Sequence, residues 1–355
     1  MRFQETSRRR PGWIVISALC LVSLASAAEM TVARPGDNLP RRLAEAEKTT
    51  GTLFLTKGLY ALDEPLVVNG PVRIIGAAKE AVIIYPAKAF RADALIEVVG
   101  GEKQNVRGVT ISQLLLACTY EDAAEVVKCG IVLGRDGNRC ESNSHVLDHV
   151  GIVGRFKYGV VLLGTELSSL RDCSVVLTAP GGVGLYASPE NRIDFCSARL
   201  QKLIAGGTTT YNHVSGGVLG AGPGGSSVRF DGYVVAWTFT NVFFGVAAEP
   251  GSESVIRLHG LQSPNRLLVP SQLTFIGCGN DQLRTRFGLY VTSERPDRVG
   301  ADRLIFDNCY LLSREYPVCC KTAANDPGPE TGLIRHWAER NSRFLKNGAV
   351  QEVRP

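Results

Sequence analysis

The feature that most limits how this chain can fold is a repeat of short apolar segments with a period in the twenties. Six segments align on their final position: Val146-Leu147-Asp148-His149, Leu170-Arg171-Asp172-Cys173, Ile193-Asp194-Phe195-Cys196, Arg229-Phe230-Asp231-Gly232, Phe275-Ile276-Gly277-Cys278 and Phe306-Asp307-Asn308-Cys309. Their last residues lie 24, 23, 36, 46 and 31 positions apart. The first two steps are one period and the 46 is two. The steps of 36 and 31 need insertions, and Gly-rich Thr208 to Ser227 supplies one. A second series opens on glycine: Gly130, Gly159, Gly184, Gly245 and Gly288. A unit this short cannot bury its own apolar face, and it gains a core only by stacking on copies of itself. The period implies about ten to twelve stacked coils. No LxxLxLxxN unit recurs, so a leucine-rich repeat is excluded. A β-sandwich would not keep Asp or Asn in phase before Cys or Gly.

Local signals agree with stacked strands. Leu53-Phe54-Leu55, Leu66-Val67-Val68, Val72 to Ile75 and Val82 to Tyr85 are strand-length apolar runs punctuated by Gly58, Asn69-Gly70, Gly76 and Pro86. Ahead of them, Asp37 or Asn38 can cap a helix over Leu39 to Lys48, with Leu39, Leu43 and Ala46 on one face and Gly51 past its end. The tail from Lys321 opens on Asp326-Pro327-Gly328-Pro329. Ile334, Trp337, Ala338, Phe344 and Leu345 then predict a short amphipathic helix over the last coil.

Residues 1–28 read as a secretory signal peptide. Arg8 to Arg10 form the basic region, Trp13 to Leu24 the apolar region, and Ala25 to Ala28 the cleavage region. The apolar run is short for a bilayer span, so no stable membrane insertion is expected after cleavage. The domain plan is thus a signal over 1–28, one stacked domain over 29–320 and a covering tail over 321–355, in a secreted or periplasmic protein. Without the signal the chain carries 35 basic and 33 acidic side chains. The apparent basicity belongs to the signal, and nucleic acid is not an expected partner.

Nine cysteines remain: Cys118, Cys129, Cys140, Cys173, Cys196, Cys278, Cys309, Cys319 and Cys320. The spacing lacks the CxxC pairs of a zinc site. Cys173, Cys196, Cys278 and Cys309 share a repeat position and read as a buried, unbridged column, because residues in stacked rungs sit about 4.8 Å apart. Cys118, Cys129 and Cys140 flank the helix-prone insertion Glu121 to Lys128 and suit a loop-closing bridge. Asp148, Asp172, Asp231 and Asn308 share the preceding position, which suits a turn column. His145 and His149 are about 13 Å apart on a strand, too far to share one ion. Phe239, Phe243, Phe244, Tyr233 and Trp237 cluster in one rung as an aromatic platform, unless alternation sends half of them into the core.

The helix before the first strands, the segment Thr52 to Tyr60 and the rung Asn105-Val106-Arg107-Gly108-Val109-Thr110-Ile111 resemble the pectate lyase/pectin lyase superfamily over nearly the whole mature chain. The resemblance implies an all-β right-handed parallel β-helix, a solenoid with a short N-terminal capping helix, whose parallel-sheet face binds carbohydrate. Fold alone does not select among lyases, hydrolases, epimerases, adhesins and inactive relatives. The Asn-Thr-Asp, Asp-Asp, Gly-His-Gly and Arg-Ile-Lys segments of polygalacturonase-like hydrolases are absent. Asp148-His149 matches the end of a lyase-like Trp-Ile-Asp-His segment, and Arg295-Pro296-Asp297-Arg298 is a distant echo of Arg-x-Pro-x-x-Arg. The first expectation is a carbohydrate-active protein that binds a uronate-containing polysaccharide and cleaves it as a lyase or glycoside hydrolase. Its catalytic candidates are Asp148, His149, Arg171, Asp172 and Lys202, with Ca²⁺ as cofactor if it is a lyase. The second is a non-catalytic binding module. The two separate on whether neighbouring rungs bring two carboxylates and a basic group within reach of one sugar.

Overall fold

The structure is a computed structural model. It describes residues 30–99, 106–118, 127–134, 142–163, 165–166, 168–179, 182–187, 193–200, 203–221, 225–246, 253–262, 267–280, 285–294, 300–321, 333–346 and 349–350. The expected signal peptide, Lys202, Cys140, the segment Arg295-Pro296-Asp297-Arg298 and residues 121–126 of the insertion expected over Glu121 to Lys128 lie outside the described residues. Among the described residues there is one helix, and the rest of the regular structure is strand. No helix there is long and apolar enough to cross a membrane.

Strands pair in parallel with strands one rung later, in near-continuous register. Thr31–Ala33 pairs with Thr52–Leu55, which pairs with Arg73–Gly76, which pairs with Thr110–Cys118. The ladder continues through Val146–Gly154, Ser168–Leu177 and Ile193–Leu200. Leu203–Ser215, Ser226–Thr240, Ser271–Ile276, Asp302–Asp307 and Trp337–Arg340 extend it. A second parallel face runs from Cys129–Gly134 through Tyr158–Leu163 and Val183–Ala187 to Leu203–Ser215, then Ser226–Thr240, Ser254–Gln262, Phe287–Ser293 and Tyr316–Lys321. One continuous apolar cluster lies within these faces. The Leu39–Lys48 helix buries Leu39, Leu43 and Ala46 and starts at Asn38, whose Oδ1 accepts from the Arg41 amide at 2.8 Å.

The interior is aromatic toward the C-terminal end. Phe239, Phe275 and Phe306 occupy matching positions in three successive rungs. Their rings stack with centroids 4.9 and 4.8 Å apart and planes within 11° and 9°. That spacing is the interstrand distance, so parallel register sets the ring stacking. Trp237 and Phe244 are buried in the same cluster. The aromatic platform expected on the surface is therefore mostly core. Only Phe243 of that group is an exposed large hydrophobic, as alternation dictates.

Eight of the described rungs turn a corner through a single residue in the left-handed region. Gln113, His149, Asp172, Gly216, Asn241, Gly277, Asn308 and Asn341 have φ between +48° and +66°. Register places them in one column. Left-handed backbone favours Gly and Asn, and also admits Asp and His. The expected turn column exists, but its membership differs. Asp172 and Asn308 belong, whereas Asp148 aligns with Arg171, one residue before the corner. Asp231 stands in the other sheet, opposite His259. The Thr208 to Ser227 segment is not an insertion: it contains most of the Leu203–Ser215 strand and all of Val218–Ala221.

The cysteine column follows the corner. Cys173, Cys278 and Cys309 are buried, free thiols. Each thiol faces the carbonyl two residues back, at Arg171, Ile276 and Asp307, across 3.3, 3.4 and 3.5 Å. Each also faces a carbonyl of the preceding rung. Ser342 takes the same role at Arg340. A small weak donor there meets a carbonyl that also accepts the corner amide of the preceding rung, as at Ile276, Asp307 and Arg340. Cys196 is outside the column: Ala198 stands opposite Cys173, and Cys196 falls at the irregularity between Phe195, opposite Leu170, and Ser197, opposite Arg171. The loop-closing bridge does not form between Cys118 and Cys129, which are buried free thiols.

The tail does not form the expected helix. Trp337–Arg340 pairs with Asp302–Asp307, and Arg343–Lys346 pairs with Tyr310–Ser313. Trp337 and Phe344 lie against Phe306 at 4.9 and 5.5 Å. The open strand edge and the last interior ring both offer more to a paired strand than to a helix laid across them.

Candidate functional site

Two polar clusters stand on the surface. The first is at the corner column. In a regular strand Asp148 and His149 would point to opposite faces. The left-handed φ of +53° at His149 breaks that alternation, so both face solvent while Leu147 and Val150 stay inside. One rung later Asp172, with φ of +48°, repeats the geometry. His149 Nδ1 lies 2.9 Å from Asp148 Oδ1, and its Nε2 lies 3.8 Å from Asp172 Oδ2. One ligand atom from each of the three lies within 4.8 Å of the others. Arg171 is exposed beside them, in register with Asp148. Four of the five candidate residues thus share one surface patch. Beside it, Lys79 Nζ donates to Ser174 Oγ at 2.9 Å. His145 is 1% exposed, and burial pushes its imidazole down to about 4. It belongs to the interior.

The second cluster lies on the outer face of the second parallel sheet. Arg229, Arg257 and Tyr290 form one column across successive rungs, and Asp231, His259 and Thr292 form the next. Arg229 Nε donates to Asp231 Oδ2 at 2.8 Å, and Arg257 Nη1 donates to Glu253 Oε2 at 2.9 Å. The Arg257 guanidinium lies 5.7 Å from the centre of the Tyr290 ring, and its buried Nε has no hydrogen-bond partner. His259 Nδ1 meets Thr292 Oγ1 at 2.7 Å. Burial lowers the His259 pKa, with Asp231 opposing the shift. Further along, Arg286 is bidentate to Glu315 at 2.9 Å for both bonds and lies over Phe287. Guanidinium groups beside an aromatic face suit planar anionic and sugar-like ligands. The sequence alignment missed this cluster because it phased Arg229 to Gly232 with the corner segments. The usable signal was the recurrence of Arg-x-Asp and Arg-x-His at Arg229 and Arg257.

No family model and no curated protein sequence matches the chain. Solved structures do. The catalytic domain of a GH87 α-1,3-glucanase in complex with nigerose superposes with a TM-score of 0.55 at 11% identity, over 92% of this chain and 66% of that one. The chain thus spans just under two thirds of that glucanase chain. The endo-xylogalacturonan hydrolase of Aspergillus tubingensis superposes with a TM-score of 0.58 at 9% identity, over 91% of this chain and 97% of that one. This chain shares the parallel-stranded fold of these solved structures. ORF18 of Geobacillus virus E2 is a third match, at 12% identity and a TM-score of 0.54, over 82% of this chain and 59% of that one. At these identities the likeness is one of fold, and the site has to be argued from its own residues.

Proposed function

We propose that this protein is an exported, right-handed β-helix that binds a uronate-containing polysaccharide along the outer face of its second parallel sheet and cleaves it. The observation that carries the reading is the register of Arg229, Arg257 and Tyr290, flanked by Asp231, His259 and Thr292. Strands about 4.8 Å apart set successive side chains in line, so a linear polymer crossing the rungs meets one group after another. Arg229 and Arg257 turn guanidinium groups toward the acidic groups, and the buried Tyr290 ring backs the Arg257 guanidinium. His259 is a neutral imidazole at pH 7 under its lowered pKa, and Asp231 stands beside it. Together they offer a proton acceptor and a carboxylate for abstraction or water activation. Two matched structures are also of enzymes named for polysaccharides, an α-1,3-glucanase bound to the disaccharide nigerose and an endo-xylogalacturonan hydrolase.

The corner candidates fit hydrolysis less well. Inverting pairs of carboxyl groups stand about 6.5–9.5 Å apart to admit a water, and retaining pairs need the anomeric carbon between them. Here the Asp148 and Asp172 oxygens lie within 4.8 Å, and the His149 ring occupies the space between them. The second reading, a binding module without chemistry, rests on the ion pairs Arg229–Asp231 and Arg257–Glu253, which already engage the charged groups of the face.

The test is binding and turnover on a panel of uronate and neutral polysaccharides, with Arg257→Ala and His259→Gln beside the wild type. Retention of uronate polymers that is lost in Arg257→Ala supports the face. Product release that is lost in His259→Gln, with binding kept, supports cleavage. Binding without release in the wild type leaves the module. Binding insensitive to Arg257 refutes the site.

A further inference from the structure

We propose that the Asp148–His149–Asp172 corner is a binding site for a divalent transition-metal ion of the Zn²⁺ type, separate from the polysaccharide face. The donor set is the first ground. Two carboxylates and one imidazole present a ligand atom each within 4.8 Å of one another. Imidazole with carboxylate suits Zn²⁺ and its neighbours, whereas Ca²⁺ takes six to eight oxygens. The second ground is the gap between His149 Nε2 and Asp172 Oδ2. At 3.8 Å it is too long for a hydrogen bond. An ion about 2.0–2.2 Å from each atom spans it.

The third ground is where these residues stand. At the same corner position other rungs carry Gln113, Gly216, Asn241, Gly277, Asn308 and Asn341, and five of these six are the Gly or Asn a left-handed corner ordinarily takes. His149 and Asp172 replace them on two adjacent rungs. Asp148, set outward by the same corner, makes the third donor. Stacking alone gives no reason for side chains that can ligate to coincide there. The exposed Arg171 is the nearby cation with which an ion competes, and its long side chain is free to swing toward solvent.

The corner supplies its own controls. Asn is the native residue of this column at three rungs, so His149→Asn and Asp172→Asn keep the backbone while each removes a donor. Metal-free protein, as the full exported chain, is titrated calorimetrically with ZnCl₂, MnCl₂ and CaCl₂. The expected result is one saturable Zn²⁺ site per chain, tighter than Ca²⁺ and weakened about tenfold or more in both variants, with unchanged melting in metal-free buffer. His336→Asn, at the remote His336–Asp302 pair, leaves that affinity unchanged. Three results overturn the proposal: no saturable Zn²⁺ or Mn²⁺ binding, Zn²⁺ binding unaffected by His149→Asn, or Ca²⁺ bound tighter than Zn²⁺. A variant that loses metal but still binds polysaccharide also separates this site from the sheet face.

Discussion

Replacing Phe275 with Ala removes the central ring of the interior stack. Phe275 is fully buried and lies between Phe239 at 4.9 Å and Phe306 at 4.8 Å, with Phe244 edge-on at 6.5 Å. Truncating a buried phenylalanine costs about 3–5 kcal/mol through lost transfer energy and a residual cavity. That range includes the loss of two stacked pairs, each worth about 0.5–1.5 kcal/mol beyond area. The site has little room to collapse, because parallel hydrogen bonds on both sides hold the backbone at its spacing. The upper half of the range is therefore expected. With an unfolding entropy of about 2.1 cal/mol/K per residue over the roughly 250 described residues, a loss of about 4 kcal/mol lowers the melting temperature by roughly 8 °C. Phe275→Leu keeps most of the volume and is expected to cost about 1–2 kcal/mol. Urea unfolding followed by tryptophan fluorescence reads this directly, since Trp237 and Trp337 border the stack. Rungs couple mainly to neighbours, so Phe275→Ala should also broaden the transition. A loss under about 1 kcal/mol refutes the continuous aromatic interior.

Three further outcomes follow from the same packing. Gly159→Ala sets a Cβ 2.3 Å from the Val175 side chain and 2.7 Å from the Gly184 carbonyl, so a loss of at least about 1–3 kcal/mol is expected in thermal or urea melts. Burial pushes the thiols of Cys129 and Cys319 up to about 12 and that of Cys173 up to about 11. At pH 8 these three should resist a thiol reagent in the native state and react once unfolded, which mass mapping reads. His145, held down at about 4 by burial, makes the unfolded state the better proton binder between pH 6.5 and 4. Stability should fall as pH drops through that window, by up to about 3 kcal/mol from this group. His145→Leu should flatten the fall, and an unchanged slope refutes the assignment.

The strand ladder was legible because apolar runs, glycines and the period of 23–24 point the same way. Thr52–Leu55, Leu66–Val68 and Arg73–Gly76 stand close to where their residues suggest. Phase was harder. The sequence shows similar three-residue patterns on two faces, and Arg229 to Gly232 was assigned to the wrong one, which hid the column of arginines. The corner was hidden for a different reason. Alternation assumes that consecutive residues face apart, and one left-handed residue per rung cancels it at Asp148 and His149. The tail illustrates competition between local and distant signals. Trp337, Phe344 and Leu345 have helical spacing, yet an unpaired edge and the Phe306 ring draw them into strands.

The most direct measurement is a crystal structure of the protein with a bound oligouronide. The account predicts sugar density running across the rungs over Arg229 and Arg257, with an acidic group against a terminal guanidinium nitrogen of either. An oligosaccharide seated on another face, with those side chains unmoved in their present ion pairs, would contradict it.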